Sequence, residues 1–98
     1  MSRQFSFHTT AEQELNEAAA YYEAESHGLG AAFLREVEHA VQHVLEYPES
    51  APLVNRLVRS KLVRRFPYSV LYSVVPRGIR VLAIANQKRR PFYWRVRK

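Results

Sequence analysis

The first half of the chain shows the periodicity of amphipathic helices after a short strand. Alternating apolar and polar residues at positions 5–7 predict the strand, and apolar residues then recur every three or four positions to about residue 26. Residues 9–12, Thr-Thr-Ala-Glu, fit a capping box, which predicts that the first helix begins there. Gly28 predicts its end, because glycine readily adopts the left-handed conformation that follows many helices.

A second helix is predicted to fold straight back on the first, since only Leu29 and Gly30 separate the two patterns. It runs from about Ala31 to Glu46, and its apolar residues form one broad stripe. The helix is predicted to end at residues 47–48, Tyr-Pro, because the proline ring disfavours a helical conformation in the residue before it.

From about residue 57 the apolar residues recur at every second position, which is the periodicity of a strand. Residues 57–65 predict a strand in which basic and aliphatic residues are interleaved. Residues 66–67 predict a bend, because the proline removes a hydrogen-bond donor from the ladder. Residues 68–75 and 79–85 predict two further strands joined by a tight turn at residues 76–78.

The predicted elements occur in the order β-α-α-β-β-β, which indicates an α+β fold. We expect one domain over residues 1–98, with an antiparallel sheet built from the C-terminal three-strand meander and the N-terminal strand. The α-hairpin has to cover one face of this sheet in order to bury its apolar stripes. The other face and at least one edge would stay available for partners.

The charges of the chain are divided sharply between its two halves. Residues 1–50 carry two basic side chains and all nine Glu, a net charge of −7, whereas residues 51–98 carry thirteen basic side chains and no acid. A second half that folds into one contiguous element would present a strongly positive surface and attract anionic partners. The alternative is that the Glu-rich helices pack beside the basic segment and neutralise much of its charge.

Several kinds of chemistry lack the residues they need. The chain has no Cys and no Asp, so it has no disulfide, no Cys-ligated zinc and no Ser-His-Asp triad. His39 and His43 are one helical turn apart, but no third metal ligand is evident and no Gly-rich phosphate loop is present. We therefore expect neither a metal ion nor a cofactor. No apolar run approaches the roughly 20 residues of a membrane span, and no signal peptide is evident, so we expect a cytoplasmic protein without membrane contact.

The last thirteen residues, 86–98, combine six basic side chains with three consecutive aromatic ones, Phe92, Tyr93 and Trp94. We refer to residues 86–98 as the C-terminal segment. Guanidinium groups bind phosphates and carboxylates, and aromatic faces offer stacking surfaces, so this composition predicts an anionic partner, either nucleic acid or an acidic protein segment. The alternative is a solvated basic terminus with one or two aromatic residues packed on the core.

Four stretches of the chain resemble one known superfamily. They are Leu15…Ala18-Ala-Ala-Tyr-Tyr-Glu23, Gly28-Leu-Gly30…Phe33-Leu-Arg-Glu-Val37, Arg65-Phe-Pro-Tyr68…Leu71-Tyr72 and Ile84-Ala-Asn-Gln-Lys-Arg-Arg-Pro-Phe-Tyr-Trp94. In order and content they are similar to the RelE/ParE superfamily of type II toxin–antitoxin toxins. The resemblance implies a compact toxin, neutralised by an antitoxin whose C-terminal segment wraps along it. It also implies that the two proteins together bind and repress their own operator DNA.

Two activities are found in that superfamily. RelE-like members cut mRNA in the ribosome with a Lys pair, an Arg on the central strand, and an Arg and a Tyr near the C-terminus. Arg89 and Tyr93 are counterparts of the last two. The central-strand Arg falls near Ser69, which cannot replace it.

The rest of the RelE-like pattern is also incomplete. The Lys pair falls near Lys61 and Leu62, so at most one Lys is kept. Asn86 stands where relatives often have a His, and an Asn cannot exchange a proton. The sequence is therefore closer to ParE-like members, which poison DNA gyrase and have no well-defined catalytic set.

Our leading expectation is a ParE-like toxin that inhibits growth through DNA gyrase. The alternatives are a RelE-like ribosome-dependent mRNA endonuclease and a non-toxic basic binding module, so whether the protein is an enzyme stays open. If it is a nuclease, we expect the catalytic residues Arg65, Arg89 and Tyr93. The residues expected to bind the target or nucleic acid are Arg59, Lys61, Arg64, Lys88, Arg90, Trp94 and Arg95, although Trp94 is explained more simply as a core or interface residue.

Overall fold

The secondary structure follows the order predicted from the sequence. The computed structural model describes residues 3–90 and 92–97 of the chain. Its elements are β1 (Gln4–Phe7), α1 (Thr9–Glu25), α2 (Leu29–Glu46), β2 (Val58–Leu62), β3 (Tyr68–Val75) and β4 (Gly78–Asn86). Two helices and a four-stranded sheet confirm the α+β fold. Within the described residues, neither helix is long and apolar enough to cross a membrane.

The strand order in the sheet is β1-β4-β3-β2, and β2, β3 and β4 form the predicted antiparallel meander. β1 runs parallel to β4, from Gln4 beside Gly78 to Phe7 beside Val81, so the sheet is mixed. The two strands come close together because residue 78 is glycine, and a Cβ at this position would collide with the carbonyl oxygen of Gln4. Side-chain alternation predicts which residues form a strand but not the direction in which the strand joins the sheet.

The first helix is capped differently from the prediction. His8 is the N-cap residue, and its Nδ1 accepts the backbone N–H of Thr10 at 3.1 Å. Thr9 already lies inside α1, so the capping box predicted for residues 9–12 is wrong. An imidazole nitrogen supplies the acceptor that a Thr hydroxyl was expected to supply.

The connection between the helices is even shorter than predicted. Gly28 has the expected left-handed conformation, with φ of 86°, but it is the N-cap residue of α2, which begins at Leu29. The Glu23 carboxylate accepts the N–H groups of Gly28 at 2.9 Å and Gly30 at 3.0 Å. The first of these bonds, followed by the second, lowers the pKa of Glu23 below its ordinary value. An anion of α1 therefore caps the positive end of α2.

The main core lies between the α-hairpin and one face of the sheet. Phe33 of α2 is fully buried at its centre, and its ring centroid lies 5.3, 5.2 and 5.1 Å from those of Tyr22, Phe66 and Tyr68. Tyr72 of β3 is also fully buried, and its hydroxyl donates to the Pro48 carbonyl at 2.7 Å. Aromatic edge-to-face contacts and the satisfied hydroxyl make this face of the sheet a packed layer.

β2 is shorter than predicted, because it ends at Leu62 and not at residue 65. Arg65 has φ of 70°, a left-handed conformation that takes it out of the ladder. The Val63 N–H donates to the Tyr68 carbonyl at 2.9 Å and closes the turn between β2 and β3. The interleaved pattern of residues 63–65 therefore belongs to a turn.

A second, smaller core covers the face of the sheet that points away from the helices. β4 has one extra residue, Leu82, opposite the step from Leu71 to Tyr72, and this bulge brings two neighbouring β4 side chains into the cluster. The buried members are Val58, Leu71, Leu82, Ala83, Ala85 and Trp94. The expectation that this face stays open is therefore wrong, because the C-terminal segment supplies Trp94 to cover it.

We predict that Phe33→Ala lowers the free energy of unfolding by about 3–5 kcal/mol, since it removes a fully buried ring and leaves a cavity. The neighbouring Leu34→Ala is the matched control, because Leu34 is 40% exposed and should lose far less. Urea titration of both variants measures the difference. Equal losses would show that the core is centred elsewhere.

Candidate functional site

The C-terminal segment folds back as soon as β4 ends. The Asn86 side chain accepts the Lys88 N–H at 2.9 Å, and its carbonyl accepts the Arg89 N–H at 2.9 Å. Two further turns follow, in which Arg95 N–H donates to the Phe92 carbonyl at 3.1 Å and Arg97 N–H to the Trp94 carbonyl at 2.9 Å. These turns return residues 92–97 along the sheet. Residues 91 and 98 lie outside the described part of the chain.

Trp94 is only 4% exposed and belongs to the second core. Its indole packs among the side chains of β3 and β4, and its ring lies 5.7 Å from that of Phe92. A buried indole offers no stacking face to a nucleic acid. The structure therefore places Trp94 where the simpler alternative put it, in the core, and not on the expected target-binding surface.

Glu14 of α1 is the centre of the polar contacts that hold this segment. Its carboxylate accepts two bonds from the Arg97 guanidinium, Nη1 to Oε1 at 2.8 Å and Nη2 to Oε2 at 3.1 Å. The Tyr93 hydroxyl donates to the same Oε2 at 2.7 Å, and the Ile84 N–H donates to Oε1 at 3.1 Å. Both partners of the ion pair are largely buried, with side-chain exposures of 10% for Glu14 and 11% for Arg97. The bidentate geometry and the remaining donors satisfy the buried charges.

The ion pair occupies the part of the β4 edge that β1 leaves uncovered. β1 pairs with β4 as far as Val81, whose carbonyl accepts the His8 N–H at 2.8 Å. Beyond that point the Leu82 carbonyl accepts a bond from Arg97 Nη1 at 3.0 Å, and the Ile84 N–H donates to Glu14. Backbone groups buried without partners are costly, so the two side chains continue the pairing that the strand began.

This environment keeps Tyr93 protonated. Burial first, and then the hydrogen bond to Glu14, raise the pKa of Tyr93 well above its ordinary value. Burial lowers the pKa of Arg97, but the hydrogen bond and charge of Glu14 outweigh it and raise that pKa overall. A phenol that already donates to a carboxylate is poorly suited to accept a proton, so Tyr93 has the geometry of an anchor rather than of a general base.

The expected nuclease residues are only partly brought together. The Arg89 guanidinium lies 4.2 Å from the centroid of the Tyr93 ring and 4.0 Å from the Glu14 carboxylate. Arg65 lies at the turn after β2, its guanidinium 5.8 Å from the Phe66 ring. Among the described residues it makes no hydrogen bond, ion pair or ring contact with Arg89 or Tyr93.

The expected binding residues do not form one surface. One of them has a structural role, and the others lie either at a cleft beside β2 or in the C-terminal segment. Arg59 donates to the carbonyls of Glu49 at 3.0 Å and Ala51 at 2.7 Å, so it holds the loop before β2. Lys61 and Arg64 line a cleft between β2 and α2. This cleft lies on the helical side of the sheet, whereas Trp94 lies on the opposite face. No group of three metal-ligating side chains occurs within the described residues.

Four cations of the C-terminal segment are exposed: Lys88, Arg89, Arg90 and Arg95. We call these four residues the exposed basic cluster. Arg89 of this cluster lines a groove of about 280 Å³, whose other walls include Tyr21, Tyr68, Asn86 and two carboxylates, those of Glu14 and Glu17. Lys88, Arg90 and Arg95 have no hydrogen-bonding or ionic side-chain partner within residues 3–90 and 92–97. Their charges are thus available to an anionic surface, while the groups around them provide no assembled acid–base pair.

Sequence reasoning missed Glu14 and Arg97, which organise this site. The apolar pattern of the first helix gives no role to Glu14, and Arg97 is one of six basic residues in the C-terminal segment. The one available signal was the division of charge, since acids in one half and bases in the other indicate that pairs form between the halves. Glu14 and Arg97 form such a pair, as the alternative of internal neutralisation predicted.

Most of the chain matches the model of one known protein family. The model for "ParE toxin of type II toxin-antitoxin system, parDE" matches residues 5–91. The chain belongs to the ParE toxin family. Family membership thus confirms the resemblance found in the sequence and narrows it from the superfamily to its ParE branch.

A solved structure from the chromosomal ParDE toxin–antitoxin system of P. aeruginosa has the same fold. Its TM-score to this chain is 0.70 at 17% sequence identity, and the match covers 86% of this chain and 95% of that one. None of the curated proteins compared with the chain matches it. The family match ends before Tyr93, Trp94 and Arg97, so the contacts that hold residues 92–97 are read from this structure alone.

We predict that the stability of the protein falls as the pH rises above about 10, the ordinary pKa of tyrosine. In the unfolded chain Tyr93 ionises there, whereas in the folded protein its raised pKa keeps it neutral, so unfolding releases a proton and becomes easier. Tyr93→Phe should make the decline shallower, as measured by urea unfolding at pH 8–11, and Tyr21→Phe is the matched control. Identical slopes for wild type and Tyr93→Phe would contradict the buried hydrogen bond to Glu14.

Proposed function

We propose that this chain is a growth-inhibiting toxin that binds and poisons DNA gyrase in the cytoplasm, and that a cognate antitoxin neutralises it. The observation that carries the proposal is the state of the C-terminal segment in a member of the ParE family. Its tyrosine is an anchor bonded to Glu14, and four cations beside it are exposed. This arrangement suits a binding surface, because the cations are exposed. Among the described residues around them, no pair of side chains is placed to act as acid and base.

The exposed basic cluster is the proposed contact with the gyrase–DNA complex. Guanidinium and ammonium groups contact phosphates and carboxylates. Lys88, Arg90 and Arg95, which have no ionic partner within the described residues, give up no ion pair when they bind. Lys88, Arg89 and Arg90 follow β4 after one residue, Gln87, and Asn86 accepts the backbone N–H groups of Lys88 and Arg89. Their backbone is thus ordered before the target arrives, which lowers the entropic cost of binding.

The proposed antitoxin is a short DNA-binding protein with an acidic C-terminal segment that wraps along the toxin. The charge of +13 in residues 51–98 supports an acidic partner. β1 is an edge strand of the sheet, and an edge strand can pair with an added strand. We further propose that the pair binds its operator DNA through the antitoxin.

Cleavage of mRNA in the ribosome has less support. Of the three expected catalytic residues only Arg89 and Tyr93 are close together, and the tyrosine is held in its protonated form. The central-strand position is Ser69, which is buried and uncharged. A third possibility is that the exposed basic cluster binds RNA as part of a non-toxic module. Assays of gyrase, mRNA and growth separate these three possibilities.

We predict that the purified protein stabilises cleaved complexes of gyrase with plasmid DNA. The double variant Arg90→Ala/Arg95→Ala should require about 3- to 30-fold more protein for the same effect, since each exposed charge contact contributes up to about 1 kcal/mol. Arg77→Ala is the matched control, because Arg77 is an exposed cation at the turn between β3 and β4. Titration of linear DNA product against protein concentration measures the effect.

Two outcomes would contradict the gyrase proposal, and a third would contradict the proposed contact. Unaffected gyrase together with discrete cuts in translated mRNA would establish the endonuclease. Unaffected gyrase, uncut mRNA and normal growth of cells that express the protein alone would establish the non-toxic module. Equal losses in the double variant and in Arg77→Ala would place the contact outside the exposed basic cluster.

A further inference from the structure

One carboxylate joins three parts of the molecule that lie far apart in the sequence. Glu14 belongs to α1, the Ile84 N–H that it accepts belongs to β4, and Tyr93 and Arg97 belong to the C-terminal segment. Within the described residues, both ion pairs made by the C-terminal segment, those of Arg89 and Arg97, are to Glu14. The polar attachment of the segment to the helical layer therefore depends on a single side chain.

The apolar attachment of residues 92–97 is narrow by comparison. Trp94 is buried, but its neighbours Phe92 and Val96 are 43% and 84% exposed. Removing the Glu14 carboxylate would leave the Arg97 charge and the Tyr93 hydroxyl in a largely desolvated position without their partner. Buried polar groups that lose a partner are costly, so water becomes the better environment for both. The segment would then move away from the β4 edge, because staying there would keep these groups unpaired.

The position of Tyr93 also determines the position of Arg89. Its guanidinium lies over the Tyr93 ring at 4.2 Å from the centroid, and the Arg97 guanidinium approaches the same ring at 5.0 Å. Cation–π contacts of this kind hold an exposed guanidinium in one orientation. Glu14 holds the tyrosine, and the tyrosine in turn orients a member of the exposed basic cluster.

We propose that Glu14 is a positioning residue, which fixes residues 92–97 on the β4 edge and thereby presents the exposed basic cluster to the target. The identity of the target rests on the proposed function, but the fixing of the segment does not. Glu14 acts through Tyr93 and Arg97, because its carboxylate is already bonded to both and only 10% of its side chain is exposed.

The chain carries its own reporter for this proposal, since Trp94 is its only tryptophan. In Glu14→Ala the fluorescence of Trp94 should shift to longer wavelength as the indole becomes exposed to water. The Ile84 amide should exchange its hydrogen about 10- to 100-fold faster, the factor expected for losing one charge-assisted hydrogen bond. Glu14→Gln should do the same to a smaller degree, because its carbonyl oxygen can keep one bond while its amide faces Arg97. Glu12→Gln, with the same charge change in the exposed first turn of α1, should do neither.

Arg97→Met is a second variant, which tests the same proposal if the Glu14 variants fail to fold. It keeps the Glu14 carboxylate but removes the cation that compensates its charge, so the buried anion favours exposure to water. Trp94 should then become exposed while the helical circular dichroism stays that of wild type. Gyrase inhibition should fall in Glu14→Ala and Arg97→Met together with the shift in Trp94 emission. Inhibition by Glu12→Gln should match that of wild type.

Several results would overturn the proposal. An unchanged Trp94 emission and Ile84 exchange rate in folded Glu14→Ala would show that the carboxylate does not hold the segment. A released segment with undiminished gyrase inhibition would show that its position does not serve the target. If wild type itself fails to inhibit gyrase, the proposed function fails. Trp94 emission and Ile84 exchange then still decide whether Glu14 holds the segment, and measuring the growth arrest of Glu14→Ala decides whether that position serves the target.

Discussion

The buried ion pair between Glu14 and Arg97 is the contact on which the position of the C-terminal segment depends. β1 is too short to cover the whole edge of β4, and the two side chains take over the backbone groups of Leu82 and Ile84 that it leaves. By doing so they attach the C-terminal segment to the first helix and bring Trp94 onto the outer face of the sheet. The Glu14 carboxylate thus completes the pairing of the β4 edge and holds the segment that supplies Trp94 to the second core. It thereby also determines where the basic residues lie.

The same pair joins the acidic half of the chain to the basic half. One acid from the negative half and one base from the positive half are buried together, with bidentate geometry and further donors to compensate the loss of water. Lys88, Arg89, Arg90 and Arg95 stay exposed, because their charge is not needed for packing. Arg97 and Tyr93 therefore anchor the segment, while Lys88, Arg90 and Arg95 are available to bind a partner.

The helices and strands could be predicted from the sequence, but the contacts between them could not. Periods of 3.6 and 2 predicted the α-hairpin and the meander, because burial imposes those periods on any amphipathic element. They could not predict that β1 joins β4 in parallel or that His8 caps α1, because both depend on where the chain returns in space. Glu14 and Arg97 are 83 positions apart, and nothing local distinguishes either from its charged neighbours. Trp94 shows the same limit, since an aromatic residue in a basic stretch suits a core or a binding surface equally well.

We propose that the basic C-terminal segment of this ParE family member is ordered before it binds gyrase. Hydrogen exchange of the protein, free and saturated with gyrase and DNA, tests this most directly. We expect added protection at the amides of Lys88, Arg89, Arg90 and Arg95, with the segment already protected around Trp94 in the free protein. Protection confined to other elements, such as the cleft between α2 and β2, would contradict it.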